Sequence, residues 1–261
     1  MKSLANKKIL ITGAAGGLGQ EYTRQLMELG SHLILTDLNE PALRKIADGV
    51  TASLSNAPGK ILGVFESNLA TKEGCEAAYR KCAEIDPMLD VLINNAGIIT
   101  YGDFHEVPMD KWETLMNLNL LAPMHLTYKF LPGMVERKEG HIVFMSSVAG
   151  IVATSQGTPY TCSKFALRGF GMALYGELKK KGVDVTNIYP FWVQTPLLNS
   201  PSYGNTPIKK LPSIFADNPQ KVIKEAICGI RKRKLHVYPG IYSKAVNFAA
   251  KFVPIVSSQA H

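Results

Sequence analysis

The sequence has no apolar run of about 18 residues, the length a membrane-crossing helix requires. Its first residues, Met1-Lys2-Ser3-Leu4-Ala5-Asn6-Lys7-Lys8, lack the apolar stretch of roughly 7–15 residues that marks a secretory leader. Cysteine is scarce. Cys75, Cys82, Cys162 and Cys228 show neither metal-ligand spacing nor a disulfide framework. These absences predict a reduced, cytoplasmic protein with no bound metal. Acidic residues are outnumbered, 21 against 29 lysines and arginines, which gives a net charge of +8. Much of the excess sits in Lys179-Lys180-Lys181 and Arg231-Lys232-Arg233-Lys234. Both runs follow apolar-periodic segments, where cations suit a helix C-terminus, so they read as solvated helix ends. No basic face interleaved with aromatics is present, which leaves nucleic-acid binding without support. Repeats and low-complexity linkers are missing too. The 261 residues, 46% of them apolar, are read as one domain over 1–261.

What is there is an alternation. Strand-like runs occur at Lys8–Thr12, His32–Thr36, Ile61–Phe65, Val91–Ile93, His141–Met145 and Val183–Tyr189, with a short last one at Leu235–Tyr238. Between them, helical periodicity covers Leu18 to Leu29, a segment opened by Asn39 and Pro41, Thr71–Ile85, Asp110–Val135 and Gln156–Lys180. Asn218-Pro219 opens another helix toward Arg231. The pattern predicts an α/β fold: a Rossmann-type, doubly wound parallel sheet of about seven strands with helices on both faces. Residues 190–217 hold four prolines after Pro190 and read as a substrate-binding loop or lid.

Thr12-Gly13-Ala14-Ala15-Gly16-Gly17-Leu18-Gly19 lies between the first strand and the first helix. Glycines there permit a tight turn and bring backbone N–H groups close to a pyrophosphate. Asp37 follows 18 residues after Gly19, at the end of the second strand. A carboxylate there accepts from an adenosine ribose diol and repels a 2′-phosphate. Capping the following helix is its structural alternative. No lysine or arginine lies in the loop or directly after Asp37, so NAD(H) is favoured over NADP(H).

Tyr160 and Lys164 stand four residues apart, on one face of a helix. Making a phenol a base near neutral pH means moving its pKa by about three units, roughly 4 kcal/mol. One cation at ~4 Å in surroundings of effective dielectric ~20 supplies about that much. Cys162, between them, points elsewhere on the helix and is read as packing.

Together these residues resemble the short-chain dehydrogenases/reductases, in the subgroup of about 250 residues. The resemblance runs from Lys8 to about Thr195. It rests on Thr12-Gly13-(x)3-Gly17-x-Gly19, Asn94-Asn95-Ala96-Gly97, Asn119 seven residues after Trp112, Ser147 thirteen residues before Tyr160, and the Tyr160/Lys164 pair. It implies that Tyr160 exchanges a proton with the substrate oxygen. Lys164 would lower its pKa and bind the nicotinamide ribose. Ser147 would orient the same oxygen, and Asn119 would hold a water linking Lys164 to solvent. It also implies cofactor contacts at Gly13, Gly16, Gly17, Leu18, Gly19, Asp37, Asn68, Leu69, Asn95, Ala96, Gly97, Pro190, Val193 and Thr195. Phenylalanine at 191 departs from the usual Pro-Gly, which puts the backbone path toward Thr195 in question.

Ser147, Tyr160, Phe191 and Trp192 are the expected substrate contacts. Ile98, Ile99, Val148, Ile151, Leu197, Leu198, Tyr203 and Phe215 are further candidate walls. They are apolar, which favours a hydrophobic secondary alcohol or ketone, steroid-like or long-chain. An NADP(H)-dependent carbonyl reductase is the nearest alternative. A catalytically silent dinucleotide-binding regulator is one of another class. The tail, 241–261, is apolar with two lysines. It reads as packing on its own domain or a partner subunit, with weak membrane-surface contact as the alternative. The family resemblance also implies a homodimer or homotetramer.

Overall fold

The computed structural model describes residues 3–205 and 215–252. Seven strands form one sheet: β1 (Lys8–Thr12), β2 (His32–Asp37), β3 (Lys60–Glu66), β4 (Val91–Asn94), β5 (Gly140–Met145), β6 (Val183–Ile188) and β7 (His236–Val237). Their order is β3-β2-β1-β4-β5-β6-β7, and every pairing is parallel. The winding reverses where β1 lies beside β4. That is the switch point at which the strand ends of such sheets leave a crevice.

Alternation along each strand feeds two cores. Ile9 and Ile11 pack with Tyr22 and Leu26 of α1 (Gly17–Glu28), Leu43 of α2 (Glu40–Ser53) and Ile223 of α7 (Pro219–Arg231). Leu10, between them, joins Ala78 of α3 (Lys72–Ile85), Phe130 of α5 (Ala122–Glu136) and Leu174 of α6 (Thr158–Leu178). Continuous apolar strands are what burial on both faces demands. Asn39, Thr71 and Asn218 cap α2, α3 and α7 through their side chains, with Pro219 in the first turn of α7.

The helix expected over Asp110–Val135 differs. It divides into α4 (Met109–Met116), a π-helical stretch (Asn117–Leu121) and α5. The stretch turns Asn119 inward, where it is fully buried. The helix expected from Gln156 begins instead at Thr158, because Gln156 has φ 56° and lies outside helical space. Cys162 is exposed on the outer side of α6, not packed as expected, since its position falls away from the sheet. In the 190–217 segment, one 3-10 turn (Pro196–Asn199) and bridges Tyr101–Ser202 and Val193–Asp217 are formed. Its residues 206–214 lie outside the described residues, as do 253–261 of the tail. The tail's described part forms α8 (Ile241–Ala249). Among the described residues no helix is long and apolar enough to cross a membrane, and no group of three metal-ligating side chains occurs.

Candidate active site

The glycine loop is folded tightly against its neighbours. Gly13 has φ +64°, and a Cβ there would lie 2.7 Å from the Ala96 Cα. A Cβ on Gly17 would come within 2.9 Å of the Thr195 methyl, so the segment after β6 lies directly over the start of α1. A Cβ on Gly19 would run into the Gly13 carbonyl. Gly16 closes the turn by donating its N–H to the Gly13 carbonyl. Helix α1 starts there with no side-chain cap and no acidic residue in its first turn, unlike α2 and α3. Its free N–H groups and the bare glycine backbone suit an anionic diphosphate.

Asp37 does something the sequence did not suggest. Its Oδ2 accepts from Ala15 N at 2.9 Å and its Oδ1 from Leu38 N at 2.7 Å. The carboxylate splints the glycine loop, while Asn39 caps α2. Each carboxylate oxygen keeps lone-pair capacity for a ribose hydroxyl. Asn95 braces the loop from the other side, donating from Nδ2 to the Thr12 and Gly13 carbonyls at 3.0 Å each. The Thr12 hydroxyl accepts from Asn95 N and Ala96 N. Asn68 is exposed beside these strand ends, its Oδ1 accepting from Ala70 N. The Leu69 side chain is buried in the second core, which leaves only its main chain for a ligand.

A cavity of about 330 Å³ opens beside the loop. It gathers Leu18, Asn95, Gly97, Ser147, Tyr160, Lys164, Pro190, Phe191, Trp192, Val193 and Thr195 of the expected site residues. Ile99, Val148, Leu197 and Leu198 also line it. Ile98, Ile151, Tyr203 and Phe215 do not. Phe215 packs instead on Tyr242, with ring centroids 5.9 Å apart. Tyr203 engages Tyr101 through backbone hydrogen bonding. Tyr101, Thr154 and Gln156 line the cavity and were missed. None belongs to a motif: Tyr101 sits in the bridge to Ser202 and Gln156 on a turn; the signal available was the glycines at 102 and 157, and Gly102 N donates to the Gln156 carbonyl.

Tyr160 and Ser147 both line the cavity, and the Ser147 hydroxyl acts on the phenol in favour of its ionised form. Tyr160 is half-buried, on the wall of the cavity. Burial pushes the phenol up to about 12, outweighing the Ser147 hydroxyl. The family resemblance implies a lowered value. The ammonium of Lys164 lies 5.4 Å from the Tyr160 ring centroid and donates to the Met145 carbonyl at 2.8 Å. The lysine is itself pushed down to about 8 by burial, so it remains largely charged at neutral pH. The Asn119 Oδ1 accepts from Ile98 N, and its Nδ2 donates to the Ile98 carbonyl and the Ser163 hydroxyl. A water held by Asn119 would use its main chain or the second lone pair of Oδ1.

A doubly wound sheet with a glycine turn, an unfilled helix start and a carboxylate after β2 defines a dinucleotide-binding protein. The family described as short chain dehydrogenase matches residues 7–204. Human epidermal retinol dehydrogenase 2 is 30% identical over 263 residues, covering 97% of this chain and 80% of its own. A short-chain dehydrogenase/reductase from Burkholderia phymatum, solved with NAD, superposes with a TM-score of 0.82 at 22% identity, covering 96% of this chain and 94% of its own. One from Sphingobium yanoikuyae, solved with NADPH, gives 0.78 at 23% identity, covering 98% of both chains. The chain belongs to the short-chain dehydrogenase/reductase family. It is an NAD(P)-dependent oxidoreductase acting on CH–OH groups.

Proposed function

We propose that the protein interconverts a hydrophobic secondary alcohol, steroid-like or long-chain, and its ketone, with NAD(H) preferred and Tyr160 as the acid/base. The observation that carries this is one cavity that brings Tyr160, Ser147 and Lys164 together within walls of Ile99, Val148, Phe191, Trp192 and Leu198. The bound dinucleotide supplies or accepts the hydride. Tyr160 gives its proton to the substrate oxygen in reduction and takes it back in oxidation. Ser147 holds that oxygen and stabilises charge on it. With its pKa near 12, the phenol is protonated at neutral pH and ready to donate. Oxidation needs the phenolate instead. Lys164 favours that form, as does a cationic ring bound beside it.

The preference for NAD(H) rests on Asp37, whose carboxylate would repel a 2′-phosphate. Arg44 on α2 offers no rescue: its guanidinium is 2.6 Å from Glu40. The exposed apolar residues Leu121 and Tyr128 near and on α5, and Phe165 and Met172 on α6, are read as the contact of a homodimer or homotetramer; sedimentation as a monomer would remove that reading. The exposed free thiols of Cys162 and Cys228 suit the reducing cytoplasm, which fractionation of the full chain tests. For the activity, one panel decides: secondary alcohols and ketones from small sugars to steroids, each with both dinucleotides. The expected outcome is turnover of the apolar compounds with NAD(H). Turnover confined to polar sugars, or preference for NADP(H), would sink the corresponding half of the proposal.

A further inference from the structure

Helix α8 is held to the body on one side only. Ser243 is fully buried, and its hydroxyl donates to the Tyr189 carbonyl. Tyr242 packs against Phe191, with ring centroids 5.6 Å apart. The opposite side carries Ile241, Phe248 and Phe252, which are 73%, 66% and 71% exposed. With exposed Ala245 between them, Ile241, Ala245 and Phe248 make one stripe along α8, and Phe252 extends it in the turn that follows the helix. Single exposed apolar residues are ordinary; a contiguous stripe with two phenylalanines marks a contact surface.

Charge selects the partner. Lys244 and Lys251 border the stripe, both exposed, and residues 241–261 contain no aspartate or glutamate. Lys244 reaches α7 through Glu225 at 2.7 Å, and α7 adds exposed Lys221 and Lys224. A second copy of the chain would bring the same cations to a two-fold contact. An anionic lipid surface brings the opposite charge and an apolar phase for the phenylalanines. We propose that the outer face of α8 docks on an anionic lipid surface. Phe248 and Phe252 enter the acyl boundary, while Lys244 and Lys251 meet the headgroups. Since Tyr242 touches Phe191 and Phe191 lines the cavity, docking sets the cavity beside the lipid phase. That last consequence rests on the apolar-substrate reading; the docking does not.

The test is co-sedimentation of the full chain with phosphatidylcholine vesicles, with and without phosphatidylserine, and with no substrate present. Binding is expected to the phosphatidylserine vesicles and to weaken with salt. The double variant Phe248→Ser/Phe252→Ser should lose about tenfold or more in binding. Lys251→Gln should lose about fivefold. Both should keep the parent's melting temperature and its turnover of a water-soluble alcohol, because neither change touches the cavity. Three outcomes would each overturn the proposal. One is an absence of vesicle binding by the parent. Another is loss of binding in Ile255→Ser/Val256→Ser but not in the phenylalanine variant, which moves the contact off α8. The third is a phenylalanine variant that changes oligomeric state and not vesicle binding, which assigns the face to a second copy. Because docking is scored without substrate, a mistaken substrate assignment leaves this result standing.

Discussion

The two ends of the site are built by different means. At the end formed by β1, β2 and β4, shape is fixed by backbone hydrogen bonds. Thr12, Asn95 and Asp37 hold the glycine loop through its own peptide groups, with bonds of 2.9–3.0 Å. At the end beyond β6, shape is fixed by side-chain packing. Phe191, Tyr242 and Phe215 meet ring to ring, over a backbone tied by the Val193–Asp217 bridge. A backbone-bonded cradle is set before its ligand arrives and tolerates little change. A packed aromatic wall gives more readily, and substitution there re-shapes it without unfolding the chain. The first end suits a ligand of constant chemistry; the second suits a substrate that varies. Tyr160 stands where the two meet, and on the proposed function its phenol is the group both ends serve.

The largest effect should come from that junction. Tyr160→Phe removes one oxygen and leaves the ring. Turnover should fall by about 10³-fold or more, with dinucleotide affinity within about twofold. Stopped-flow turnover and fluorescence titration measure the two. The pH dependence of the parent follows from the sign of the shift. Ketone reduction needs the protonated phenol, so its rate should stay level through neutral pH and fall only as the phenol ionises. Alcohol oxidation needs the phenolate, so its rate should rise with pH over the same range. Normal turnover by the phenylalanine variant would show that the two ends do not converge on this residue.

Gly13→Ala sharpens the comparison at the cradle. The new Cβ would lie 2.7 Å from the Ala96 Cα, and the backbone already sits at φ +64°. The opposing atoms are backbone, so they cannot swing aside. The cost should be about 2 kcal/mol, which lowers the melting temperature by roughly 4–8 °C. Dinucleotide affinity should fall about tenfold, since the N–H groups are displaced. A variant that melts and binds like the parent would mean the cradle is less rigid than its hydrogen bonds imply.

Legibility in the sequence divides along the same line. The strands of the sheet could be read because alternation and continuous apolar runs leave few other solutions. The residues of the cradle could be read because a tight turn beside a phosphate demands glycine at fixed spacing. The Asp37 contact with Ala15 could not, because it depends on the loop folding back onto β2. The π stretch was hidden as well: nothing in Asn117-Leu118-Asn119-Leu120-Leu121 forbids a regular helix, and the Ile98 backbone and Ser163 hydroxyl that reward the wider turn lie far along the chain. The burial that raises the phenol's pKa could not be read for a related reason. A charge four residues away is visible in a sequence, whereas depth of burial is a property of the assembled fold. At the packed end, Phe191, Trp192 and Leu198 were identified as walls, but Phe215 was not separable from them by composition.

The smallest effect, and the one that bears most on the packed end, is expected from Phe191→Ala. The ring stands between the cavity and Tyr242, and Tyr242 keeps Phe215 when the ring is removed. The wall should therefore retreat without collapsing. An apolar substrate loses about 1–2 kcal/mol of contact, so its KM should rise about tenfold. On the proposed function the chemistry lies elsewhere, at Tyr160, so kcat should change little. Dinucleotide affinity should hold as well, because the cradle's hydrogen bonds are untouched. Steady-state kinetics on a long-chain or steroid alcohol, with a small alcohol as control, measures the split. A rise in KM for the large substrate alone makes the two ends separable in function as they are in construction. An unchanged KM, or a matching loss of dinucleotide affinity, would mean that Phe191 belongs to the cofactor end and that the boundary between them runs further out, through Leu197 and Leu198.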